Sequence, residues 1–458
     1  MTIHAFSVKL DAIMKRLLNL AVFLLPIVLP LYVVRFNIGP LPTTVLEIYI
    51  LLFIGLWGLR RLKNRKPNTA ETQNFASLPK NYQNNWFQRW RWPIAAWLVA
   101  TLIAVFIAPD HWAAFGHWRA FMLEPILMFV VINDLFDTTP NPSLLRRGIT
   151  NGIATVTIAL GIYAVIQYFT GWGIPSPWDD ATMRRATGTF GYPNGLSLFI
   201  APFGVVCFME WIRRVWDGGE QGARMLFLTG AAAAAVSVLL AKSMGGILAF
   251  GAGVTLTLVI KKETRKIGLV MCIMGLIGTL AAGALIYRTQ LHPLNISDNI
   301  ATSKKWSSMV RTVIWQESWQ IVKAHPVLGT GLRSYPTAIL PYHTATWMEV
   351  FPHPHNIILM LWIETGLLGL LAFLWICWTW VVVSRQSSVD SREWSKTHHL
   401  TDDRRHTTDD WLWIVPLIVI LVHGMVDMPY FKNDLAMQFW LLAALATTAS
   451  KTYHRVEE

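Results

Sequence analysis

The chain contains a series of long apolar runs, and these constrain its fold more than any other feature. Several reach the length of about 20 residues that a helix needs to cross a bilayer. Only 14% of the residues are charged, against about 25% in typical soluble domains. We predict an all-α polytopic membrane protein with about twelve transmembrane helices, near residues 17–34, 42–59, 93–109, 116–133, 149–170, 195–212, 225–241, 244–260, 267–287, 355–383, 411–428 and 434–450.

Lysine and arginine concentrate in alternate connections between these runs. If the N-terminus is cytoplasmic, 27 of the 39 Lys and Arg residues fall in cytoplasmic segments, as the positive-inside rule requires. The formal net charge of +12 then reflects membrane orientation and requires no nucleic-acid partner. The distribution predicts an even number of spans with both termini in the cytoplasm.

Two long polar segments interrupt the apolar pattern. Residues 61–91 read as a cytoplasmic linker that ends in an interfacial segment rich in tryptophan and arginine. Residues 288–354, between the ninth and tenth predicted spans, form a large loop on the outside. Within this loop, residues 304–326 have apolar side chains at helical spacing and end at a proline. We therefore expect a single integral membrane domain over 1–458, with 288–354 as a loop subdomain.

A histidine and an asparagine, His355 and Asn356, stand where this loop meets an apolar helix. Histidine can accept or donate a proton near neutrality, so this position suits a gate residue or a catalytic base. Gly366 and Gly369 follow on the same helix and are expected to let a neighbouring helix approach closely. The alternative is an interfacial histidine that only caps a buried helix.

Three other residues compete with His355 for the role of a base. His423 and Asp427 are four residues apart, on one face of a later predicted span near the same surface. His353 lies between two prolines, which favour an extended backbone.

Several further polar residues share the predicted outer face with His355. The cations are Arg184, Arg185, Lys242, Arg311 and Arg333, and a glycine-rich turn adds Asn194. The planar guanidinium group binds phosphate oxygens at two points and is always charged, so a diphosphate is a natural substrate group. The same arginines could stabilise a diphosphate leaving group as its charge develops. Alternatively they pair with lipid phosphates or with nearby carboxylates.

Metal-dependent chemistry has little support in the sequence. The first outer loop, residues 35–42, carries no carboxylate, and nothing outside resembles a paired acidic cage. The pair His353 and His355 could bind zinc, but no third ligand is evident at helical spacing. We therefore predict a site without a metal.

The order of these motifs is similar to that of a known superfamily. His355-Asn356 followed by Gly366-x-x-Gly369 resembles the signature of the O-antigen ligase and polymerase superfamily. The arginine-led stretch RATGTFGYPNGLSLFIAP (185–202) and the loop residues Arg311, Trp315 and HPVLGTGLRSYP (325–336) look like two more of its motifs. The resemblance covers roughly 184–371, which would be the catalytic region.

The resemblance implies a GT-C-like membrane glycosyltransferase of the bacterial cytoplasmic membrane, with its active site on the periplasmic face. Its donor would be a glycan on a polyprenyl (undecaprenyl) diphosphate, used without a metal, nucleotide or other cofactor. It implies His355 as the base that activates the acceptor hydroxyl, with Arg311 contacting the diphosphate. The remaining candidates for substrate binding are Arg184, Arg185, Lys242, Arg333, Asn194 and Asn356.

One turn departs from the pattern of that family. Many ligases have Ser-Arg-Gly where this chain has Ser243-Met244-Gly245. Lys242, two positions before Met244, could supply the missing charge, although without the fork of a guanidinium group.

The acceptor and even the class of function stay open at this stage. A ligase transfers glycan to lipid A core, a polymerase to another lipid-linked repeat, and a protein O-oligosaccharyltransferase to serine or threonine. From another class, a lipid-linked glycan flippase would need charged residues along a path at mid-bilayer depth. The predicted spans contain few such residues, chiefly Glu47, Glu124 and Glu364. All these interpretations share lipid-linked glycan and membrane lipids as partners.

Overall fold

The computed structural model describes residues 3–39, 41–63, 86–139, 141–290, 304–345, 347–397 and 410–449. This part of the chain is almost entirely helical. The α-helices are α1 (Ile3–Val28), α2 (Val45–Lys63), α3 (Trp86–Ile107), α4 (His111–Trp118), α5 (Glu124–Thr138), α6 (Pro142–Thr170), α7 (Pro193–Trp216), α8 (Gln221–Leu240), α9 (Met244–Ile260), α10 (Arg265–Gln290), α11 (Lys304–Ala324), α12 (Tyr335–Ala338), α13 (Ile357–Thr397), α14 (Val415–Gly424) and α15 (Asn433–Thr447).

Short elements complete the fold. A π-helical segment, Arg119–Leu123, joins α4 to α5. One antiparallel hairpin pairs β1 (Arg35–Ile38) with β2 (Leu41–Thr44). The 3-10 helices are Leu29–Val33, Leu340–Tyr342 and Asp410–Ile414.

Within the described residues, six helices are long and apolar enough to cross a membrane. They are Asp11–Val33, Trp86–Ile107, Pro142–Thr170, Pro193–Trp216, Gln221–Leu240 and Ile357–Arg385, and the shorter apolar helices Met244–Ile260 and Leu412–Gly424 accompany them. The chain is therefore a mostly helical protein with the composition of a polytopic membrane protein, as its apolar runs predicted.

The centre of the bundle is formed by α7 and α15. Every residue of α15 is buried, and α7 is buried along most of its length. Helices approach closely where a glycine meets a small residue. A Cβ on Gly204 of α7 would lie only 2.1 Å from the Cβ of Ala234 on α8, and Gly161 of α6 meets Ala233 in the same way. Such small-residue contacts are typical of helices that pack inside a bilayer.

The segment expected at the membrane interface forms the start of a long apolar helix. Residues 64–85 of the predicted linker lie outside the described residues, and from Trp86 onward the chain is continuous α3. Trp90 is fully buried, packs on Phe129, and donates a hydrogen bond from Nε1 to Thr447 Oγ1 at 3.1 Å. Residues 86–91 thus form the first turns of α3, because Trp90 finds its partners inside the bundle.

The large loop forms a small subdomain around α11, which coincides with the helix predicted over 304–326. Val310 and Ile314 of α11 pack against Ala345 and Met348 in a separate apolar cluster. Glu317 of α11 accepts hydrogen bonds from the backbone that follows, including Thr344 N at 2.9 Å. The segment after α12 is therefore tied back onto α11.

The glycine pair on α13 does not serve the purpose expected of it. Gly366 has a left-handed backbone (φ +67°), which breaks the regular helix. A Cβ there would lie 2.2 Å from Val327 O, and Leu367 N donates to that same oxygen at 3.0 Å. A Cβ on Gly369 would meet Thr365 of its own helix. The prediction of a helix–helix approach was wrong at Gly366, which instead accommodates a turn of the loop.

Candidate active site

Four connecting segments meet at one end of the bundle, which we call the outer end: 171–192, 241–243, 325–356 and 425–432. Hydrogen bonds link the first of these segments to the second, and the third to the fourth. A side chain at the start of α7 joins the two pairs. These segments carry most of the residues that the sequence singled out.

His355 lies at this end beside a carboxylate. Its Nδ1 is 3.3 Å from Asp427 Oδ1, and 18% of its side chain is exposed while Asp427 is buried. Helix α14 ends at Gly424, so Asp427 occupies the following turn, although the predicted span reached 428. An ionised carboxylate only accepts hydrogen bonds, which assigns the proton to Nδ1 and leaves Nε2 as a proton acceptor.

Neighbouring groups hold the His355 loop in place. Asn356 caps α13, since its Oδ1 accepts from Ile358 N and Leu359 N, and its Nδ2 donates to Met425 O. Trp315 Nε1 of the loop helix donates to Pro354 O at 2.9 Å. Both ends of the Asn356 amide are thus engaged with protein, which favours a positioning role over contact with substrate.

Asp427 is fixed by donors on both oxygens. Asn194 Nδ2 donates to Oδ2 at 2.8 Å, and Met428 N donates to Oδ1 at 2.9 Å. Burial raises the pKa of Asp427, but the hydrogen bond from His355 and the imidazoles of His423 and His353 outweigh it and hold the pKa below its usual range. The carboxylate is therefore ionised whenever it faces His355 near neutral pH.

Arg185 connects to this pair through Asn194. Its Nη2 lies 3.4 Å from Asn194 Oδ1, and its Nε donates to Ala241 O at 2.9 Å. Its guanidinium group also stacks on the ring of Trp178. Burial lowers the pKa of Arg185, and the charge of Arg311 lowers it further. The two positive charges therefore repel one another at this end of the bundle.

Arg311 reaches the same cluster from α11. Its Nε donates to Val426 O at 3.0 Å, next to Asp427, and its Nη1 donates to Ser307 Oγ at 2.6 Å. Val426 O and Ser307 Oγ are both neutral acceptors. Within the described residues, no carboxylate lies within ion-pair distance of Arg311 or Arg185.

The other predicted cations are placed differently. Arg184 donates to the carbonyls of Tyr168 and Phe169, at the end of α6. Lys242 is exposed, and its ammonium group lies over the ring of Tyr168. Arg333 is exposed in its turn, and its backbone donates to Glu364. None of the contacts found for these three in the described structure reaches His355.

Backbone strain marks three of the predicted site residues. In the described part of the chain, the non-glycine residues with a left-handed backbone are Lys242 (φ +50°), Arg333 (φ +63°) and His355 (φ +49°). This conformation costs residues with a side chain roughly 1–3 kcal/mol each and is concentrated at functional sites. Nothing in the sequence indicated this backbone strain. It nevertheless occurs at residues that were selected as site candidates for their charge or their ability to transfer a proton.

The competing histidines surround the same carboxylate. The rings of His353 and His355 are 4.3 Å apart, and burial together with the neighbouring His355 lowers the pKa of His353 to about 4. His423 is buried, and a Cβ on Gly245 would lie 2.9 Å from its ring. Of the three histidines, His355 has the Asp427 hydrogen bond.

Two residues of the 425–432 turn were not recognised as partners of this site. Asp427 was considered only as a competitor of His355, whereas it is its hydrogen-bond partner. Lys432 was not singled out. Its Nζ donates to Tyr32 OH at 2.6 Å and lies 4.6 Å from the centre of the Tyr192 ring. Both residues could have been recognised from the sequence, because they belong to a cluster of polar residues between the last two apolar runs.

Fold and geometry together define a helical membrane protein with a polar, cation-bearing site at one end of its bundle. Residues 229–374 match the family described as O-antigen ligase. Over 245 residues the chain is 25% identical to the exopolysaccharide production protein ExoQ of Rhizobium meliloti, a match that covers 50% of this chain and 51% of ExoQ. The chain thus spans about half the length of this curated relative. Part of the chain is therefore similar to the O-antigen ligase family, and half of it is similar to a protein of exopolysaccharide production.

Proposed function

We propose that this protein transfers a glycan from a polyprenyl (undecaprenyl) diphosphate to an acceptor hydroxyl, as an O-antigen ligase or polysaccharide polymerase would. The observation that carries the proposal is the hydrogen-bonded pair of His355 and Asp427, flanked by Arg185 and Arg311. The O-antigen ligase family match covers His355 and Arg311. Asp427 and Arg185 lie outside the matched region. The role of Asp427 is assigned from the geometry, and that of Arg185 from the sequence and the geometry together.

The proposed step is a nucleophilic displacement at the anomeric carbon of the donor. The acceptor oxygen forms a bond to that carbon while His355 Nε2 takes the hydroxyl proton. The bond from the carbon to the diphosphate oxygen breaks, and polyprenyl diphosphate leaves with the electron pair. Asp427 accepts from Nδ1–H, which orients the imidazole and stabilises the imidazolium ion that forms.

Unneutralised positive charge supports the binding of a diphosphate. Arg311 donates hydrogen bonds to a carbonyl and a hydroxyl, and Arg185 donates to carbonyls and an amide oxygen. Neither guanidinium group is therefore paired with a carboxylate in the described structure. Charge-assisted bonds from guanidinium groups would strengthen as negative charge grows on the leaving diphosphate. Asn194 links Arg185 to Asp427 and so holds the base and the anion site in register.

The proposal includes an orientation in the membrane. The protein has twelve spans in a GT-C-like arrangement, lies in the bacterial cytoplasmic membrane and has both termini inside. The loop subdomain 288–354 and the active-site residues of the catalytic region 184–371 then face the periplasm. Contacts at the opposite end of the bundle support this arrangement, because Arg61 pairs with Asp134 and Lys261 pairs with Asp217, all in segments assigned to the cytoplasm.

A transport pathway finds less support than catalysis. Glu47 and Glu124 both pair with Arg119, at 3.1 and 2.9 Å. Glu364 accepts from the backbone of the glycine-rich turn, including Tyr335 N. The three acidic residues available to a flippase are thus engaged with protein groups. The acceptor, whether lipid A core, a repeat unit or a protein hydroxyl, is not specified by these contacts.

The test compares His355→Ala with His423→Ala in a transfer assay with lipid-linked glycan donor, with donor binding measured separately. Loss of a general base should lower turnover of His355→Ala by at least about a hundredfold while donor binding persists. His423→Ala, which removes a buried ring without the Asp427 hydrogen bond, should lose less. Normal turnover by folded His355→Ala would refute the assignment and favour the flippase alternative.

A further inference from the structure

One group of side chains at the outer end has the composition of a metal site. The ligand atoms of His353, His355 and Asp427 all lie within 4.8 Å of one another. The sequence offered the two histidines but no third ligand, because Asp427 is 72 residues from His355 along the chain and reaches it only in the folded protein. No third ligand stands at helical spacing in the sequence, and Asp427 supplies one from a distant part of the chain.

A second observation points to a ligand at this position. Nδ1 of His353 is buried and has no hydrogen-bond partner in the described structure. A buried polar atom without a partner is uncommon in native proteins and is often explained by an ion or water. Coordination would satisfy this nitrogen.

We propose that His353, His355 and Asp427 bind Zn²⁺, and that the bound ion inhibits the transfer reaction. Two imidazole nitrogens and one carboxylate oxygen are a ligand set that zinc accepts in tetrahedral sites, with the fourth position left to water. The proposal rests on the function proposed above, in which His355 is the base. An ion between His355 and Asp427 would replace their hydrogen bond and take His355 out of proton transfer.

The neighbouring charges set the expected strength of the site. Arg311 and Lys432 both lie near Asp427 and oppose a second cation there. We therefore expect reversible binding that EDTA removes, in contrast to a structural zinc site. The ion would compete with catalysis and would not be required for folding.

Binding is tested with the purified full-length chain, stripped with EDTA and titrated with Zn²⁺ alone. His353→Gln and His355→Gln should each bind one equivalent fewer than the wild type. His325→Gln, which changes an exposed histidine elsewhere on the loop, is the matched control and should bind as the wild type does. Equal zinc binding by His353→Gln and the wild type would overturn the proposal.

A measurement on the wild type alone tests the metal site even if a variant does not fold. Modification of His353 and His355 by diethyl pyrocarbonate, mapped by mass spectrometry, should be slowed by zinc and restored by EDTA. Modification of His325 should be indifferent to zinc. If zinc leaves the modification rates of His353 and His355 unchanged, the site does not exist.

The inhibitory consequence is measured as the transfer rate with zinc relative to each protein's own zinc-free rate. Zinc should lower the wild-type rate at least tenfold, reversibly, and should have little effect on His353→Gln. Equal inhibition of both proteins would overturn the inhibitory role. If zinc binds as expected but no transfer is detected in any protein, the proposed function fails while the metal site stands.

Discussion

The two ends of the bundle use their arginines in opposite ways. At the inner end, which comprises residues 60–61, 134–147, 210–224 and 410–413, Arg213 and Arg214 both pair with Glu210. At the outer end, Arg185 and Arg311 bond to carbonyl, amide and hydroxyl oxygens. The inner arginines therefore neutralise a carboxylate, whereas the outer ones keep their charge for another anion.

Cavity size alone would select the inner end of the bundle. A cavity of about 720 Å³ opens at the inner end, lined by Arg213, Arg214 and Glu210 among others. Arg213 and Arg214 are already paired with Glu210, and the described residues lining the cavity include no histidine. The outer end has the hydrogen-bonded His355 and Asp427 and the strained backbone. The comparison shows that the partners of a charged group are a better guide to chemistry than the volume beside it.

The largest expected effect is in an accessibility experiment that tests the topology, because each introduced cysteine is either labelled or not labelled. Gln316→Cys in α11 and Gln221→Cys at the start of α8 place exposed thiols at the outer and inner ends. A membrane-impermeant maleimide applied to intact cells should label the first and leave the second unlabelled. The background is a chain in which the exposed Cys272 is replaced by alanine.

Permeabilised cells give the control for that experiment, since both thiols should then react. Labelling of both from the same side in intact cells would show that the two ends do not face opposite compartments. The difference between the arginines of the two ends could then no longer be attributed to a periplasmic active site and a cytoplasmic opposite end.

The next largest effect is expected from Asp427→Asn. The amide keeps the shape of the side chain but cannot accept from His355 as a carboxylate does, so the imidazole loses its orientation and its stabilised charge. We expect the turnover number to fall by about tenfold to a thousandfold with little change in KM, a range below that of removing the base itself. The measurement is steady-state transfer kinetics.

Asp217→Asn is the matched control at the inner end, where Asp217 pairs with Lys261 at 3.6 Å. This substitution should change turnover of the folded protein by less than about twofold, because the partner of Asp217 is the buried Lys261 and not a residue of the proposed site. If both variants lose activity equally, the effect is structural and Asp427 has no special role.

The sequence predicted the helices better than it predicted the site. Apolar runs of bilayer length identify α6 or α7 directly, because each helix carries its own signal. His355, Arg311 and Asn194 were found by their polar character at the ends of such runs. The pairing of His355 with Asp427 was not found, because it depends on how α14 and α13 meet. The role of Gly366 was predicted wrongly for the same reason. A glycine indicates that another segment approaches its backbone closely, but it does not indicate which segment that is.

Arg311→Lys should have a smaller but clear effect on transfer. Lysine retains the charge but loses the planar fork that binds two phosphate oxygens. We expect the ratio kcat/KM to fall about tenfold to a hundredfold, because charge-assisted hydrogen bonds contribute roughly 1.5–3 kcal/mol each. The control is Arg213→Lys at the inner end, where a lysine can still pair with Glu210 and activity should stay within about twofold.

That pair of substitutions addresses the difference between the two ends directly. Equal loss in both variants would mean that the arginine fork matters for folding at either end. Full activity of Arg311→Lys would show that a point charge is sufficient, and the proposed two-point contact with the diphosphate would be wrong.

The smallest effect is expected in the loop subdomain, where His343 responds to pH. Its Nδ1 lies 3.1 Å from Glu317 Oε2, and its Nε2 lies 3.0 Å from Met348 O, so the doubly protonated ring satisfies both acceptors. The hydrogen bond with Glu317 raises the pKa of His343 above its ordinary value. Because the folded pKa is the higher one, the added stability is complete below the unfolded value of about 6.5 and is lost as pH rises through the raised value.

The segment 343–348 should therefore loosen as the pH rises through that window. Protection of the amides of Thr344 and Ala345, which donate to Glu317, is the readout, measured by hydrogen exchange and corrected for the intrinsic pH dependence. We expect only a few-fold loss of protection, weaker at high salt, because His343 is near the surface and water screens the pair. His343→Gln should show no such pH dependence. If protection in the wild type is as independent of pH as in the variant, His343 does not make the loop respond to pH.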